Sequence, residues 1–179
     1  GKSPKEAVAT TKFLRQERYA GGAVACANHV AAVCGRVDLL TLVGDDGQDA
    51  FVRDRLRPTV TPRFIVRPGA PTILKRRYLW DPFLTKMFEV VVMDDTPLPL
   101  AQEDALLADL SSTLPDYDLV IVADYGHGLF GPRTAAVLAS GARFLAVNTQ
   151  ANASNLGFNL VTKYPRASYV CIDEPEIRL

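Results

Sequence analysis

The stretch Tyr117-Asp118-Leu119-Val120-Ile121-Val122-Ala123-Asp124-Tyr125-Gly126-His127-Gly128 constrains this chain most. Leu119 to Ala123 is an apolar, largely β-branched run with no alternation. Such a run suits a strand covered on both faces, as in a parallel sheet, better than a strand with one wet face. It stops abruptly at Asp124-Tyr125-Gly126-His127-Gly128. Open α/β sheets bind ligands in the crevice beyond the carboxyl ends of their strands. A carboxylate, a phenol, an imidazole and two glycines therefore stand where such a sheet carries its chemistry. The plainer alternative is a polar glycine turn leading into a helix.

The rest of the chain repeats that logic. Gly21-Gly22 precedes an alanine-rich helix over Ala23 to Val33, with Val24, Ala27, Val30 and Ala31 or Cys34 at helical spacing and Gly35 as its stop. Leu39 to Val43 reads as a buried strand closed by Gly44-Asp45-Asp46-Gly47. Asp49 to Leu56 reads as a helix ended by Pro58. Helices are expected over Leu100 to Leu114 and Thr134 to Ala139, with Gly131-Pro132 opening the second. Phe144 to Val147 reads as a strand ending in Asn148-Thr149-Gln150, and Tyr169 to Ile172 as one ending in Asp173-Glu174-Pro175-Glu176. Alternating strands and helices imply a parallel sheet covered on both faces, which brings these polar strand ends to one edge.

Arg63 to Asp95 differs in kind. Arg63–Arg67, Thr72–Trp80 and Lys86–Met93 are β-branched and aromatic runs separated by Pro68-Gly69-Ala70-Pro71 and Asp81-Pro82. Turn punctuation without helices predicts an antiparallel sheet outside the main core, with Lys12 to Tyr19 as an added strand. Strand alternation places Lys75 and Arg77 on one face, and Lys86 on the next strand can join them. Such a face fits a phosphorylated ligand, the guanidinium offering a bidentate fork. It equally fits a solvated strand face whose charges blunt an exposed edge.

Composition narrows the classes. The 179 residues carry 20 basic and 20 acidic side chains, so net charge directs the chain to neither nucleic acid nor a membrane surface. No apolar run reaches the ~18 residues of a membrane span. The three cysteines, Cys26, Cys34 and Cys171, lie in apolar sequence and match no zinc spacing; they read as reduced core residues of a cytoplasmic protein. A glycine fingerprint for dinucleotides is lacking, which argues against a dehydrogenase.

With these motifs in this order, the chain resembles the ribokinase, or PfkB, carbohydrate kinases, and within them the heptose-phosphate kinases with their nucleotidyltransferase-linked relatives. The carriers are Gly21-Gly22-Ala23, Gly44-Asp45-Asp46-Gly47, Thr72-Ile73-Leu74-Lys75-Arg76-Arg77, Asp124 to Gly128, and Asp173-Glu174-Pro175-Glu176. The resemblance implies an α/β fold: a ribokinase-like doubly wound parallel sheet with a small, mostly antiparallel β lid. The lid would take in residues 10–20 and 63–95, and the core residues 21–62 and 96–179. It implies ATP and Mg2+ as cofactors and phosphoryl transfer to a sugar or sugar phosphate. It also implies a homodimer through the lid.

Under the resemblance, Gly21, Gly22, Asn28, Lys75, Arg77, Lys86, Asp124 and Tyr125 would bind substrate. His127, Asn148, Asp173 and Glu176 would attend phosphate or metal, without direct metal ligation. The chain departs from the pattern in places. Ala25 stands where the family has a sugar-contacting asparagine, Asn28 following one turn later. His127 replaces a lysine, and Asp173 replaces the asparagine of Asn-x-x-Glu. The family's first strand, with a sugar-binding aspartate, is expected before Gly1. The Gly-Ala-Gly-Asp segment that supplies the catalytic base is expected beyond Leu179, so this stretch alone is expected to be inactive. The alternative function is a non-catalytic, kinase-like interaction or dimerisation module.

Overall fold

A computed structural model describes residues 10–81, 83–151 and 155–179. In chain order the elements are α1 (Gly22–Val30), β1 (Val37–Gly44), α2 (Asp49–Asp54), β2 (Val60–Arg67), β3 (Leu74–Trp80), β4 (Thr85–Val92), α3 (Leu100–Thr113), β5 (Val120–Asp124), α4 (Pro132–Gly141), β6 (Leu145–Thr149), β7 (Tyr169–Val170) and α5 (Glu174–Ile177). Short 3-10 turns follow α3 at Leu114–Asp116 and precede β7 at Val161–Lys163.

Among the described residues the strands form three sheets. β1 and β2 pair in parallel, Val37 opposite Val60 and Gly44 opposite Arg67. β5, β6 and β7 form a parallel sheet in that order, with Asp124 opposite Thr149. β3 and β4 form an antiparallel ribbon from Leu74 opposite Val92 to Trp80 opposite Thr85, with a register shift between Tyr78 and Leu79.

The two parallel sheets share a core. Leu106 and Leu110 of α3, Leu114, and Ala135, Leu138 and Ala139 of α4 bury Val122, Leu145 and Val147, and Leu40, Leu42 and Ile65 of β1 and β2 pack on the same cluster. The opposite face of β1 and β2 carries Leu39 and Val60, covered by Val24 and Ala27 of α1. Helices thus lie on both sides of β1 and β2, whereas β5 departs from the expected strand with two covered faces: Val122 is buried under α3 and α4, but Leu119 and Ile121 on the other face are exposed. Leu145 has no exposed surface, and a side chain so placed stabilises the fold by roughly 1.5–3 kcal/mol.

The ribbon is tied to the core through the turn after β1. Asp46 accepts hydrogen bonds from the Thr72 amide at 3.0 Å and the Thr72 hydroxyl at 2.7 Å, and Asp45 accepts one from the Gly69 amide at 2.7 Å. The acidic pair thus fixes where the ribbon leaves the core.

Four further expectations need correction. Arg63–Arg67 is the second half of β2 in the parallel core, not a lid strand; residues 49–54 make the crossover helix that returns it beside β1. Lys12 to Tyr19 forms no strand, since its imperfect alternation finds no partner edge; Arg18 bonds Gln48 at 2.6 Å and lies over the Phe51 ring instead. Among the described residues the lid is therefore β3 and β4 alone. The parallel strands form two sheets rather than one. All three cysteines are exposed: Cys26 because α1 needs only Val24 and Ala27 to meet β1 and β2, Cys34 and Cys171 because they follow the ends of α1 and β7.

Candidate ligand site at the carboxyl edge of the parallel sheets

The loop after β5 is built around Asp124, which is 2% exposed. One carboxylate oxygen accepts the Gly126 amide at 2.9 Å. The other accepts the Tyr164 hydroxyl at 2.8 Å and meets Lys163 Nζ at 2.5 Å. Burial and the neighbouring carboxylate push the Tyr164 phenol far upward, so it stays a donor. A carboxylate this deep persists only with such partners.

Segment 155–164 holds the same loop by its backbone. Asn155 Nδ2 donates to the Tyr125 carbonyl at 2.9 Å. Asn159 Nδ2 donates to the carbonyls of Asp124 at 2.9 Å and Gln150 at 3.1 Å. Lys163 also donates to Asn159 Oδ1 at 2.7 Å and to the Phe130 carbonyl at 3.1 Å. Gly126 and Gly128 have φ of +68° and +82°, a region that L side chains rarely adopt. A Cβ at Gly128 would also run into the Thr96 carbonyl.

On this frame sit Tyr125 and His127, their rings roughly parallel with centroids 6.1 Å apart. The Tyr125 hydroxyl reaches the backbone of Gly22 at the start of α1. Burial raises the Tyr125 phenol, and the Cys26 thiol adds a smaller upward push. His127 is pushed below the ordinary imidazole value, first by burial and then by the charge of Lys75. Its Nδ1 is buried and has no hydrogen-bond partner among the described residues.

Lys75 brings in the β3–β4 ribbon. Lys75, Arg77 and Glu89 share one face, and the register shift brings Lys86 opposite Leu79 onto it. Arg77 Nε donates to Glu89 Oε2 at 2.6 Å, holding that carboxyl below its ordinary value, with Lys86 and Lys75 adding weaker pulls. Three cations thus surround one carboxylate. Lys75 and Glu89 are the half-buried members of their strands, and Lys75 lies near enough to His127 for its charge to act on that ring. The other face carries Leu74, Tyr78, Trp80, Phe88, Val90 and Val92, all exposed, with Arg76 among them opposite Val90 and Tyr78 stacked on Phe88 at 4.4 Å.

The sequence-derived residues divide accordingly. Gly22, Tyr125, His127 and Lys75 converge, with Arg77 and Lys86 further along the lid face. Gly21 precedes α1 in extended backbone with open space beside it. Asp124 needs correction as a ligand-facing group: its carboxylate is buried and engaged below the loop. Asn28 turns the other way, joining the Arg55 carbonyl and the Arg57 amide at 2.8 and 2.9 Å, which closes the end of α2. Asn148 donates to the Cys171 carbonyl at 2.6 Å, tying β6 to the end of β7. Asp173 and Glu176 form a capping box on α5. The Glu176 oxygens accept the amides of Ala151 and Asp173, both at 2.9 Å.

The reading of the sequence passed over Asn155, Asn159, Lys163 and Tyr164. Their spacing of four from Asn155 to Lys163 was visible, but the loop they hold lies some 30 to 40 residues earlier in the chain.

The arrangement defines a class first. It is an α/β protein with a ribokinase-like fold: parallel sheets, polar strand ends on one edge, and a basic-faced ribbon over them. The structure superposes on a Thermotoga maritima protein described as a possible 1-phosphofructokinase with a TM-score of 0.60 and 14% identity, over 93% of this chain and 55% of that one. It superposes on ribokinase from Giardia lamblia with a TM-score of 0.55 and 18% identity, over 86% of this chain and 46% of that one. The chain is a homologue of part of the bifunctional protein HldE. It is 34% identical to the Shewanella amazonensis protein over 131 residues and 30% identical to the Nitrobacter winogradskyi protein over 145 residues, which is 72% and 80% of this chain. It spans 26% and 30% of the length of these relatives. No family model matches. No helix among the described residues is long and apolar enough to cross a membrane.

Proposed function

We propose that the chain is the sugar-binding part of an ATP-dependent carbohydrate kinase whose acceptor is a phosphorylated sugar, with a heptose phosphate favoured. The observation that carries this reading is the placing of Lys75, at one end of the lid's cationic face, beside the loop of Tyr125 and His127. Phosphoryl transfer depends on positioning and charge stabilisation more than on covalent help from the protein. In this reading Lys75, Arg77 and Lys86 hold the acceptor's phosphate. Tyr125, His127 and the backbone at Gly21 and Gly22 meet its hydroxyls. Asp124 acts from below the loop. ATP and magnesium belong to the reaction of the whole protein, in the cytoplasm; Asp173 and Glu176 would meet the metal only through water.

The test is calorimetric titration with sedoheptulose 7-phosphate and with unphosphorylated sedoheptulose. A charge-assisted hydrogen bond contributes roughly 1.5–3 kcal/mol, so Lys75→Ala or Arg77→Ala should weaken phosphosugar binding about tenfold or more. The unphosphorylated sugar should lose little. Equal losses for both sugars would remove the clamp.

A second reading, an interaction module, is favoured by the outward lid face. Its six apolar side chains are exposed, and both edges of the β3–β4 ribbon are unpaired among the described residues. Two-stranded ribbons are marginal alone. A second copy across a two-fold axis would cover that face in an isologous contact. This homodimer is compatible with the kinase reading, since the two faces of the ribbon are distinct.

A further inference from the structure

Among the described residues the basic groups of the proposed site lie on the lid, and one lysine lies beneath the loop they face. Lys163 is half-buried and uses all three of its donors. They reach the Asp124 carboxylate at 2.5 Å, Asn159 Oδ1 at 2.7 Å and the Phe130 carbonyl at 3.1 Å. These partners mark the start of the loop after β5, the segment clamped beneath it, and the loop's far end just before α4. Asp124 alone needs only a counter-charge. The bond to Phe130 is different, because it sets the span between residues 124 and 130. Tyr125, His127 and the glycines at positive φ lie inside that span.

We propose that Lys163 is a positioning residue. By joining Asp124, Asn159 and the Phe130 carbonyl, it fixes the 124–130 loop in the shape that presents Tyr125 and His127 to a phosphorylated sugar, and it does not touch that ligand. The assignment rests on the reading of the site as a phosphosugar site. Its physical content is preorganisation: a loop already held in its bound shape loses less entropy on binding. Lysine suits the task because three rotatable donors on one ammonium can bond three unlike acceptors at once.

A charge-balanced double variant separates positioning from mere neutralisation. Lys163→Met leaves a buried carboxylate unpaired and should lower the melting temperature markedly. Lys163→Met with Asp124→Asn removes both charges, while the amide oxygen of Asn can still accept from Gly126 and its NH2 can donate to the Tyr164 hydroxyl oxygen. This double variant should regain most of the lost melting temperature. It should nevertheless bind sedoheptulose 7-phosphate at least fivefold more weakly than the unaltered chain. Without ligand, amide exchange at Gly126 to Leu129 should quicken about tenfold, with β6 unchanged. A double variant that is stable, binds as the unaltered chain does and exchanges at its rate would overturn the proposal and reduce Lys163 to a counter-ion. Failure of the unaltered chain to bind the phosphosugar would sink the ligand half together with the proposed function. The exchange measurement decides the loop-fixing half in either case.

Discussion

The hydroxyl of Tyr125 fills the space that a side chain at residue 22 would need. This contact joins the first turn of α1 to the loop after β5, two pieces a hundred residues apart, and it explains the glycine at the mouth of the site. Gly21, beside it, has open space and extended backbone. Of the glycine pair, only residue 22 is under steric demand.

Gly22→Ala should therefore displace Tyr125, and Gly21→Ala should not. Forcing atoms into an occupied site costs roughly 1–3 kcal/mol, so urea unfolding should place the residue 22 variant lower by about that amount. In a Tyr125→Ala background the penalty should shrink to a few tenths of that, because the obstructing ring is gone. Equal penalties in both backgrounds would show that Tyr125 is not what residue 22 meets.

A pH dependence follows from His127. Burial and Lys75 hold its imidazole below the ordinary value of 6.5, while Asp95 and Asp124 pull weakly the other way. A folded state that resists protonation binds fewer protons than the unfolded chain between the two values, so stability rises with pH there. The contribution is fully present above 6.5 and is lost as pH falls through the unfolded value toward the depressed folded one. His127→Gln should flatten the unfolding free energy between pH 6.5 and about 5.5, above the main carboxylate titrations. The other histidine, His29, lies exposed on α1. An unchanged slope in the variant would show that His127 is not the group responsible.

Much of this architecture was legible because it depends on local signals. The unalternating run before Asp124, the turn residues at 68–71 and the alanine-rich helix after Gly22 each carry their own pattern, and β5, the β3–β4 ribbon and α1 formed where those patterns lay. β2 was misassigned for a reason visible at Pro62 and Arg63. A polar-interrupted strand at a sheet edge reads like a lid strand, and only the crossover through α2 reveals its parallel partner. The candidate site was legible as a place and less so residue by residue. Strand ends share an edge by topology, which brings Lys75, Tyr125 and His127 into one region. Whether a carboxylate faces the ligand or the interior depends on distant partners. Tyr164 and Lys163 turned Asp124 inward, and no local pattern announces them. Asn28 was drawn away in the same manner by the end of α2.

The outward face of the lid makes the last prediction. Tyr78 and Phe88 stack at 4.4 Å on a surface that also exposes Trp80, Val90 and Val92. Contiguous apolar surface on this scale marks an interaction site or an aggregation hazard, and an unpaired ribbon edge compounds it. If a second copy covers the face, sedimentation equilibrium at about 100 µM should give twice the chain mass of 19.5 kDa. Val90→Lys should then give the single mass, because a buried unpaired cation at a two-fold contact is placed twice over. The same change lies on the face opposite Lys75 and Arg77, so sedoheptulose 7-phosphate should bind the monomeric variant within about twofold of the unaltered chain. A single mass for the unaltered chain would remove the dimer. A Val90→Lys variant that becomes monomeric and loses the ligand would show instead that the two faces are coupled, and that closing the lid over the loop requires the partner copy.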